Sequence, residues 1–531
     1  MKKYISAILL ALVLCSACSE SFLDENPKNF ESAEQTYKTT KGFNAALNGL
    51  HAYARLEFET WNDNIIAQGA CAYEVLQGGL DVCYVNNVDG TLQPFQKYTF
   101  DATNSYIANR WKWAYGLITN ANMMINYAEK GDVAWVKNTD KTFFQANARF
   151  FRAYAYRYLT YLYGDVPWVD KVEDNYRVDF ERTPKAQVLA RMIEDLEFAA
   201  KYLPENPGDV KDGELTKWAA LHMLSEISIF AGDYKKAQTA ALEVINSPYF
   251  KLMDTRFGKN ASQAGDPFAD MFLEKNQNRK AGNLESIWVV QAEYNVTGGS
   301  TAYNDWTRRA WVPAYYSIPG FMITQEYGGR GLGQIRPIDY IFNSYETKDM
   351  RNSIYNIRRE FIYNDPKNTE LFGKKHTITE DNMDRGYMFP TTTKFDYMPE
   401  NDPTYAGNQK DKIRFRLAET YLLLAEAYLA DNQASKAVDA INKVRERAGA
   451  TLAKAAEVNM DYLLDERSRE LLGEEMRRFT LVRTGKLIER TKKYNSKSAS
   501  TIKDYHVLWP VPQGVIDANS GLKWENNPGY N

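Results

Sequence analysis

The stretch RLAETYLLLAEAYLADNQASKAVDAINKVRERAG, residues 416–449, decides the fold of this 531-residue chain. It holds two amphipathic helical patterns that are interrupted once, at Asp431-Asn432. The same arrangement occurs earlier in WAALHMLSEISIFAGDYKKAQTAALEVI, residues 218–245, where GDYKKA is typical of the turn and second helix of a tetratricopeptide unit. Three aligned pairs of apolar residues relate the two copies: Leu224 with Leu424, Ala237 with Ala437, and Val244 with Val444.

A third and weaker copy of the pattern is RAYAYRYLTYLYGD, residues 152–165. A helical hairpin of this kind cannot bury its apolar face alone, so the copies must stack on one another. Such a stack leaves a concave or flat face for something else. The sequence therefore predicts a mainly α-helical chain that is built to hold a partner or a ligand.

The composition favours one compact unit with large insertions. With 44% hydrophobic and 25% charged residues, the chain can bury a large core, yet long irregular segments separate its helical patterns. The formal net charge is -3, whereas a general nucleic-acid binder is usually basic, so we expect no nucleic-acid partner. The 36 Tyr, 25 Phe and 11 Trp residues are enough to fill a core and also to supply exposed stacking surfaces.

The N-terminus has the pattern of a processing signal. Lys2-Lys3 precede an apolar run from Ile5 to Leu14, and small residues follow up to Cys18. Because this resembles a lipoprotein signal, we expect residues 1–17 to be removed and Cys18 to carry the lipid, although Cys15 stands where such signals usually have Leu. An ordinary secretory leader that is cut nearby is the alternative. No later stretch is apolar enough to cross a bilayer, which predicts a protein that sits on the membrane.

Two further thiols, Cys71 and Cys83, would meet an oxidising environment after export. The sequence leaves open whether they form a disulfide or stay as buried free thiols, because spacing alone does not fix the distance between their Cα atoms. The four histidines lack the spacing of metal ligands, and no calcium-loop pattern is present. We therefore expect no catalytic metal and no cofactor, while a structural calcium is left open.

Helical periodicity is concentrated in three parts of the chain, near residues 33–60, 107–250 and 413–491. The irregular parts, near 61–103 and 251–410, are rich in Gly, Pro, Asn and Asp, with one predicted strand at Ser286–Gln291. Loops on a rigid helical frame are where binding residues usually lie. We therefore predict a single domain over residues 18–531, in which helical repeats carry an irregular ligand-binding lobe.

The charged motif ERSRELLGEEMRRF, residues 466–479, could suggest a catalytic pair of glutamates. We expect instead that Glu470, Glu474 and the arginines around them form ion pairs that fix the last hairpin, since Leu464, Leu471, Met476 and Phe479 lie near one helix face. Glu226 and Glu426 occupy equivalent repeat positions and are likewise predicted to be paired structural carboxylates.

The glycine-rich run GGRGLG, residues 328–333, superficially resembles a phosphate loop. It lacks the preceding strand of a βαβ unit, and no Lys-Ser/Thr follows it. We predict a flexible loop that shapes the binding face.

The best candidate for ligand binding is the segment that follows residue 302. Its aromatic rings alternate with forked polar groups at irregular spacing, which suits neither a helix core nor an amphipathic strand. A flat ring can cover the apolar C–H face of a pyranose while Asn, Asp and Arg bond to its hydroxyl groups. We therefore predict sugar contacts from Tyr303, Asn304, Asp305, Trp306, Arg308, Arg309, Trp311, Tyr315 and Tyr316.

For any one of these rings, packing within the small core of the lobe is an equally valid interpretation. The adjacent cations Arg308 and Arg309 also raise the hypothesis that the sugar is acidic.

These segments also match, in order, the SusD/RagB family of outer-membrane nutrient-uptake lipoproteins, which the chain resembles over nearly its whole length. The matching stretches are CSESFLDENP, WKWAYGLITNANMMI, ARFFRAYAYRYLTYLYGDVPWV, ERTPKAQVLARMIEDLEFAAKYLP, LTKWAALHMLSEISIFAGDYKKAQTAALEVI, RLAETYLLLAEAYL with INKVRERAG, ERSRELLGEEMRRFTLVRTGKL, LWPVP and ENNPGY. The resemblance implies four tetratricopeptide-like hairpins packed on an irregular lobe, with a SusC-like TonB-dependent barrel as partner. It also implies sugar contacts from the loop before the WxxxY helix, here Tyr84, Asn86, Asn87 and Phe95.

The sequence thus predicts a surface lipoprotein without enzyme activity, which captures oligosaccharide at the outer membrane and delivers it to the barrel. Ser19-Glu20-Ser21 resembles the acidic tag that places such lipoproteins on the cell surface. The alternatives are a peptide-binding importer component of the same family and a helical-repeat scaffold whose partners are only proteins. A hydrolase is a third option, but no nucleophile or acid-pair signature supports it.

Overall fold

The structure is a computed structural model. It describes residues 32–59, 72–293, 296, 299 and 305–530, except for residues 89, 174, 401 and 406. Several predictions concern residues outside these ranges. The signal peptide, Cys18, Cys71, Tyr303 and Asn304 are the positions concerned. What the sequence predicts for them therefore stays a prediction.

Within the described residues, helices carry most of the regular structure. The helices are α1 (Ala33–Thr36), α2 (Thr40–Arg55), α3 (Ala72–Gln77), α4 (Gln93–Lys97), α5 (Ser105–Glu129), α6 (Asp140–Tyr163), α7 (Lys185–Tyr202), α8 (Lys217–Ala231), α9 (Tyr234–Ile245), α10 (Pro267–Asp270), α11 (Thr307–Trp311), α12 (Asp339–Asn343), α13 (Glu380–Asp384), α14 (Leu417–Ala430), α15 (Ala434–Arg447), α16 (Met460–Leu471), α17 (Arg477–Arg483), α18 (Leu487–Tyr494) and α19 (Gln513–Ala518). The strands are β1 (Cys83–Val85), β2 (Ser286–Val290), β3 (Ile335–Pro337), β4 (Ile357–Arg358), β5 (Thr391–Thr392) and β6 (Lys412–Arg416).

The long helices form one continuous stack in which each packs on the next. The order is α5, α6, α7, α8 and α9, after which the chain leaves the stack and returns as α14, which packs on α9. Helices α15 and α16 then pack on α14. The hairpins α8 with α9 and α14 with α15 are the two repeats predicted from the sequence, α6 packs on α7, and α2 packs on both α5 and α6. The predicted fold class, mainly α with helical hairpins beside an irregular lobe, is confirmed.

The two clearest repeats agree at the level of single positions. The aligned residues Leu224, Leu424, Ala237, Ala437, Val244 and Val444 are all buried. The turn between the helices also repeats, because Gly232 has φ +83° and Asn432 has φ +58°. Both residues adopt the left-handed conformation that lets a second helix fold back, which Gly and Asn tolerate better than other residues.

The sheets are small, and each has two antiparallel strands: β1 with β3, β2 with β6, and β4 with β5. The predicted strand at Ser286–Gln291 is confirmed as β2. One expectation is wrong, because residues 412–416 form β6 rather than the start of the helical tail. The alternating apolar side chains of Ile413 and Phe415 are buried against β2 and the neighbouring helices, which favours an extended chain there.

The motif at residues 466–479 forms two helices rather than one, because α16 ends at Leu471 and α17 begins at Arg477. Gly473 lies in the break with φ +82°, and a Cβ atom there would meet the ring of Phe395 at 2.4 Å. The predicted apolar face is nevertheless correct, since Leu464, Leu471, Met476 and Phe479 are all buried. The break thus lets backbone of the helical part approach side chains of the lobe closely.

A network of buried charges joins the lobe to the helices, and we call it the Glu466–Glu470 network. From the lobe, Arg351 Nη1 lies 2.8 Å from Glu466 Oε1 and 2.9 Å from Glu470 Oε2. Arg416 and Arg447 both bind Glu470 and, at 2.7 and 2.8 Å, the two oxygens of Glu285. Every residue of this group is buried. The predicted ion pairs are confirmed, and they reach beyond the last hairpin into the lobe.

The charges in this network favour its ionised form. Burial alone would raise the pKa of Glu466, but Arg351, Arg469 and Arg445 lower it to about 2. The carboxylates at the repeat positions are paired in the same way: Glu226 lies 2.9 Å from Arg157 and 3.3 Å from Arg483, which also binds Glu426. The prediction that Glu226 and Glu426 are structural is therefore confirmed.

Gly232→Ala should lower the free energy of unfolding by about 1 kcal/mol, because a Cβ atom opposes the left-handed backbone. No neighbouring atom lies within 4 Å of the added Cβ, so packing should add nothing to this loss. The matched control is Asn432→Gly, which should change stability by less than about 0.5 kcal/mol. Urea unfolding measures both. An equal loss of stability in the two variants would contradict the interpretation that positions 232 and 432 are equivalent left-handed turn positions.

Arg351→Met should lower the free energy of unfolding by about 3–5 kcal/mol, because it leaves Glu466 and Glu470 short of positive charge inside the protein. Lys375→Met is the control, since Lys375 pairs with Glu360 where both side chains are exposed, and it should cost less than about 1 kcal/mol. The measurement is equilibrium unfolding in urea, and similar losses for the two variants would refute the importance of the network.

Candidate functional site

The glycine-rich segment 328–333 lies at the centre of the predicted binding region. Its backbone is packed tightly: Gly328, Gly329 and Gly333 have positive φ, and a Cβ atom on Gly331 would lie 1.9 Å from the carbonyl oxygen of Val312. The expectation of a flexible loop is therefore wrong. Only glycine permits this close approach of two backbones, which places residue 330 beside helix α11.

Helix α11 is tied to this segment by backbone hydrogen bonds. The N–H groups of Leu332 and Gly333 both donate to the carbonyl oxygen of Arg309, at 2.9 Å. The start of the helix is fixed by Asp305, which accepts from the backbone N–H of Thr307 at 3.0 Å and pairs with Lys412. Asp305 is itself buried. The prediction that Asp305 contacts sugar is wrong, because its oxygens already hold the helix and the lysine.

Two of the predicted stacking rings are core residues. The exposed fraction of Trp311 is 0%, and its ring stacks on Phe395 with centroids 5.2 Å apart. Tyr315 is equally buried, and its hydroxyl donates to the carbonyl oxygen of Gly329 at 3.0 Å. Burial raises the pKa of Tyr315 to about 12. The predicted sugar contacts of Trp311 and Tyr315 are therefore wrong, and both residues pack the lobe.

Arg308 is also inside the protein, with an exposed fraction of 0%. Its guanidinium donates to the backbone carbonyl oxygens of Tyr397, at 2.7 Å, and Tyr405. Burial and then the charge of Arg309 lower the pKa of Arg308 to about 10. Direct contact between Arg308 and a ligand is thus excluded in this conformation, but its positive charge lies directly beneath the surface.

Three predicted residues remain partly exposed on one side of α11: Trp306, Arg309 and Tyr316. The guanidinium of Arg309 lies 4.0 Å from the centroid of the Trp306 ring. Tyr316 donates its hydroxyl to the carbonyl oxygen of Gly331 at 2.9 Å, which sets it next to Arg330. We call Trp306, Arg309, Tyr316 and Arg330 the Trp306 surface. Sequence reasoning missed Arg330, although it is the one charged residue in the glycine-rich run.

The second predicted group, from the loop before α5, is mostly internal. Asn86 is buried and donates from Nδ2 to the carbonyl oxygen of Gly333 at 2.8 Å. Phe95 is buried against Phe100, with ring centroids 5.3 Å apart. The predicted sugar contacts of Asn86 and Phe95 are therefore wrong. Asn86 instead ties β1 to the glycine-rich segment, because both of its amide atoms are used internally.

The remaining two residues of that loop differ from each other. The ring of Tyr84 has Arg336 and Lys497 against it, at 4.7 and 5.2 Å from its centroid. Cations therefore lie against this ring, as Arg309 does against Trp306, and the predicted sugar contact of Tyr84 stays a prediction. Asn87 is exposed, and its backbone N–H donates to the carbonyl oxygen of Asp384. Its side chain is thus an accessible polar group of this loop.

Other features of the described residues bear on function. No group of three or more His, Cys, Asp or Glu side chains in this part of the chain is arranged to hold a metal ion. No helix in the described ranges is both long and apolar enough to cross a membrane. Cys83 is buried in β1, and burial raises the pKa of its thiol. Cys71 lies outside the described residues, so the choice between a disulfide and two free thiols stays open.

Comparison with known proteins places this architecture in a family. The SusD family model matches residues 284–530, and a model described as starch-binding associating with outer membrane matches residues 22–229. SusD-like protein P2 of Formosa agariphila is 27% identical to this chain, and the alignment covers 100% of each of the two chains. Starch-binding protein SusD of Bacteroides thetaiotaomicron is 24% identical, over 73% of this chain and 72% of that protein.

Solved structures share the fold. Surface glycan-binding protein A from Bacteroides thetaiotaomicron superposes with a TM-score of 0.73 at 21% identity, covering 93% of this chain and 100% of that one. The same protein in complex with laminarihexaose gives a TM-score of 0.73 at 19% identity, over 92% and 99% of the two chains. At these identities the likeness establishes the fold alone.

Trp311→Ala should lower the free energy of unfolding by about 3–5 kcal/mol, because it leaves a cavity beside Phe395 in the core of the lobe. Trp306→Ala should cost about 1 kcal/mol or less, since its ring is partly exposed. Chemical unfolding of the two variants measures the difference. Equal losses would contradict the assignment of one tryptophan to the core and the other to the surface.

Proposed function

The chain belongs to the SusD family, and we propose that it binds oligosaccharides at the outer membrane through the Trp306 surface. The observation that carries this proposal is the partly exposed indole of Trp306 with the cation Arg309 against it and Tyr316 nearby. The names of its relatives agree with this role, since they include a starch-binding protein and a glycan-binding protein in complex with laminarihexaose.

The chemistry of this surface suits a pyranose. An indole ring can cover the apolar C–H face of the sugar, while guanidinium and phenol groups bond to neighbouring hydroxyls. Arg309 and Arg330 supply donors in a fixed fork, and Asn87 adds an amide from the loop before α5. Trp306, Arg309 and Arg330 project from backbone that is held by the Gly331 and Gly333 contacts, so the sugar would meet a preorganised site.

We propose that the captured sugar then passes to a SusC-like TonB-dependent barrel, with the protein tethered by lipid on Cys18 at the cell surface. Binding alone is proposed, without catalysis. The glutamates that could suggest an acid pair, Glu470 and Glu474, are each held by buried cations, Glu470 by Arg351 and Arg416, and Glu474 by Arg416 and Lys394. The family's named members are likewise binding proteins.

A protein-only scaffold is less well supported than a glycan-binding role. Such a scaffold would have no reason to keep an indole partly exposed beside a guanidinium on a lobe outside the helical stack. The peptide-binding alternative differs in the ligand rather than in the surface. Both alternatives predict that polysaccharides leave the protein unbound.

Native gel electrophoresis in gels containing starch, laminarin or charged polysaccharides should show retardation by at least one of them. Trp306→Ala and Tyr316→Ala should abolish most of that retardation, because they remove the ring that covers the sugar and its neighbour. Tyr176→Ala is the matched control, since Tyr176 is an aromatic residue that is 87% exposed on another segment.

The control variant should be retarded like wild type. Two results would contradict the proposal: mobility unchanged by every polysaccharide, or retardation that survives both Trp306→Ala and Tyr316→Ala.

A further inference from the structure

Three guanidinium groups converge at the Trp306 surface without a described carboxylate to pair them. Arg308 and Arg330 donate to backbone carbonyl oxygens, Arg330 to that of Thr404 at 3.0 Å. Arg309 lies against Trp306, and its Nε atom is buried without a hydrogen-bond partner in the described part of the chain. None of these three positive charges forms an ion pair with a carboxylate of the described residues.

Most other buried arginines of the described residues pair with carboxylates, although Arg110 and Arg478, like Arg308, donate to backbone carbonyl oxygens. Arg351 is paired with three carboxylates, Arg416 with three, and Arg477 with two. Burying a cation without a counter-charge is unfavourable, so such a group usually finds an acidic partner. At the Trp306 surface the partner is missing among the described residues, and the surface is open to solvent.

The positive charges of Arg309 and Arg330 repel each other. Burial and then the charge of Arg330 lower the pKa of Arg309. An anion placed between the guanidinium groups of Arg309 and Arg330 would relieve this repulsion and accept hydrogen bonds from them. A neutral hydroxyl could accept a hydrogen bond but would not offset the charge.

We infer that the Trp306 surface selects glycans that carry anionic groups, either uronate carboxylates or sulfate esters. In this assignment Trp306 covers the sugar ring, while Arg309 and Arg330 bind the anionic oxygens and Arg308 adds positive potential from below. The two anions share the chemistry that the guanidinium fork recognises. This inference rests on the proposed glycan-binding function and specifies the class of glycan. The net charge of -3 makes general attraction of polyanions to the rest of the molecule weak.

The test is affinity electrophoresis and calorimetry with pairs of polysaccharides that differ only in charge. The uronate pairs are polygalacturonate with its methyl ester and alginate with its carboxyl-reduced form. The sulfate pair is carrageenan with its desulfated form. Poly-glutamate is the non-sugar polyanion. At least one charged glycan should bind about tenfold more tightly than its neutralised partner. Added salt should reduce this difference in affinity.

The variants are Arg309→Gln and Arg330→Gln, each expected to lower affinity for the charged glycan about tenfold while changing affinity for its neutral form less than twofold. Arg309→Lys should retain part of the preference for the charged glycan, because lysine keeps the positive charge but lacks the forked hydrogen-bond donors of a guanidinium. Arg385→Gln is the control, since Arg385 is exposed and pairs only with Asp381 at the surface. Unfolding midpoints check that each variant is folded.

The outcomes separate this inference from the function on which it rests. If glycans bind but no charged member of any pair binds more tightly than its neutral form, the inference is wrong and the glycan-binding proposal stands. If no polysaccharide of either kind binds, both are wrong. Poly-glutamate that binds as tightly as the best charged glycan, or selectivity that survives both Gln variants, would also overturn the assignment.

Discussion

Two glutamates without access to solvent, Glu466 and Glu470, hold the irregular lobe on the helical stack. A buried carboxylate is costly unless cations surround it, and here the cations come from both sides of the interface: Arg351 from the lobe, Arg416 from β6 and Arg447 from α15. Removing the lobe would strand these charges inside the protein. The network therefore fixes where the lobe can sit, which its three two-stranded sheets could not do alone.

Buried lysines extend the same principle into the lobe. Lys410 donates to the carbonyl oxygens of Phe272, Lys394 and Asp396, and Lys394 in turn binds Glu474. Burial lowers the pKa of both lysines to about 8. These bonds position the segment that carries Phe395, which stacks on Trp311. Because Trp311 ends helix α11, the packing at its C-terminus decides how Trp306 at the other end meets solvent.

The sequence predicts the helical frame well, because periodicity and repeated turns are local. The alignment of Leu224 with Leu424 follows from the helical period within each repeat. The sequence also predicts that Glu226 and Glu426 are paired, but their partners Arg157 and Arg483 come from other helices. The site could be predicted only in part. Trp306 and Trp311 are five residues apart, so on a helix they face different sides, and only the position of Phe395 and Gly473 shows which side is the core.

The same limit applies to Asn86 and to Arg330. Nothing near Asn86 in the sequence indicates that its amide bonds to Gly333, and only that long-range contact turns a predicted ligand residue into a structural one. Arg330 could not be predicted because it lies among glycines that pack closely on the backbone of Val312, and only the fold brings Val312 to them. Local composition thus indicated a candidate binding region, while contacts between distant segments decided which of its side chains are accessible.

The most direct test of the central claim is hydrogen–deuterium exchange, with and without a saturating concentration of the polysaccharide that retards the protein most. Binding should slow exchange in peptides covering residues 305–316 and 328–333 and leave helices α14 and α16 unchanged. Protection confined to a different surface, such as the apolar pocket lined by Trp111, Phe180 and Trp524, would contradict the account.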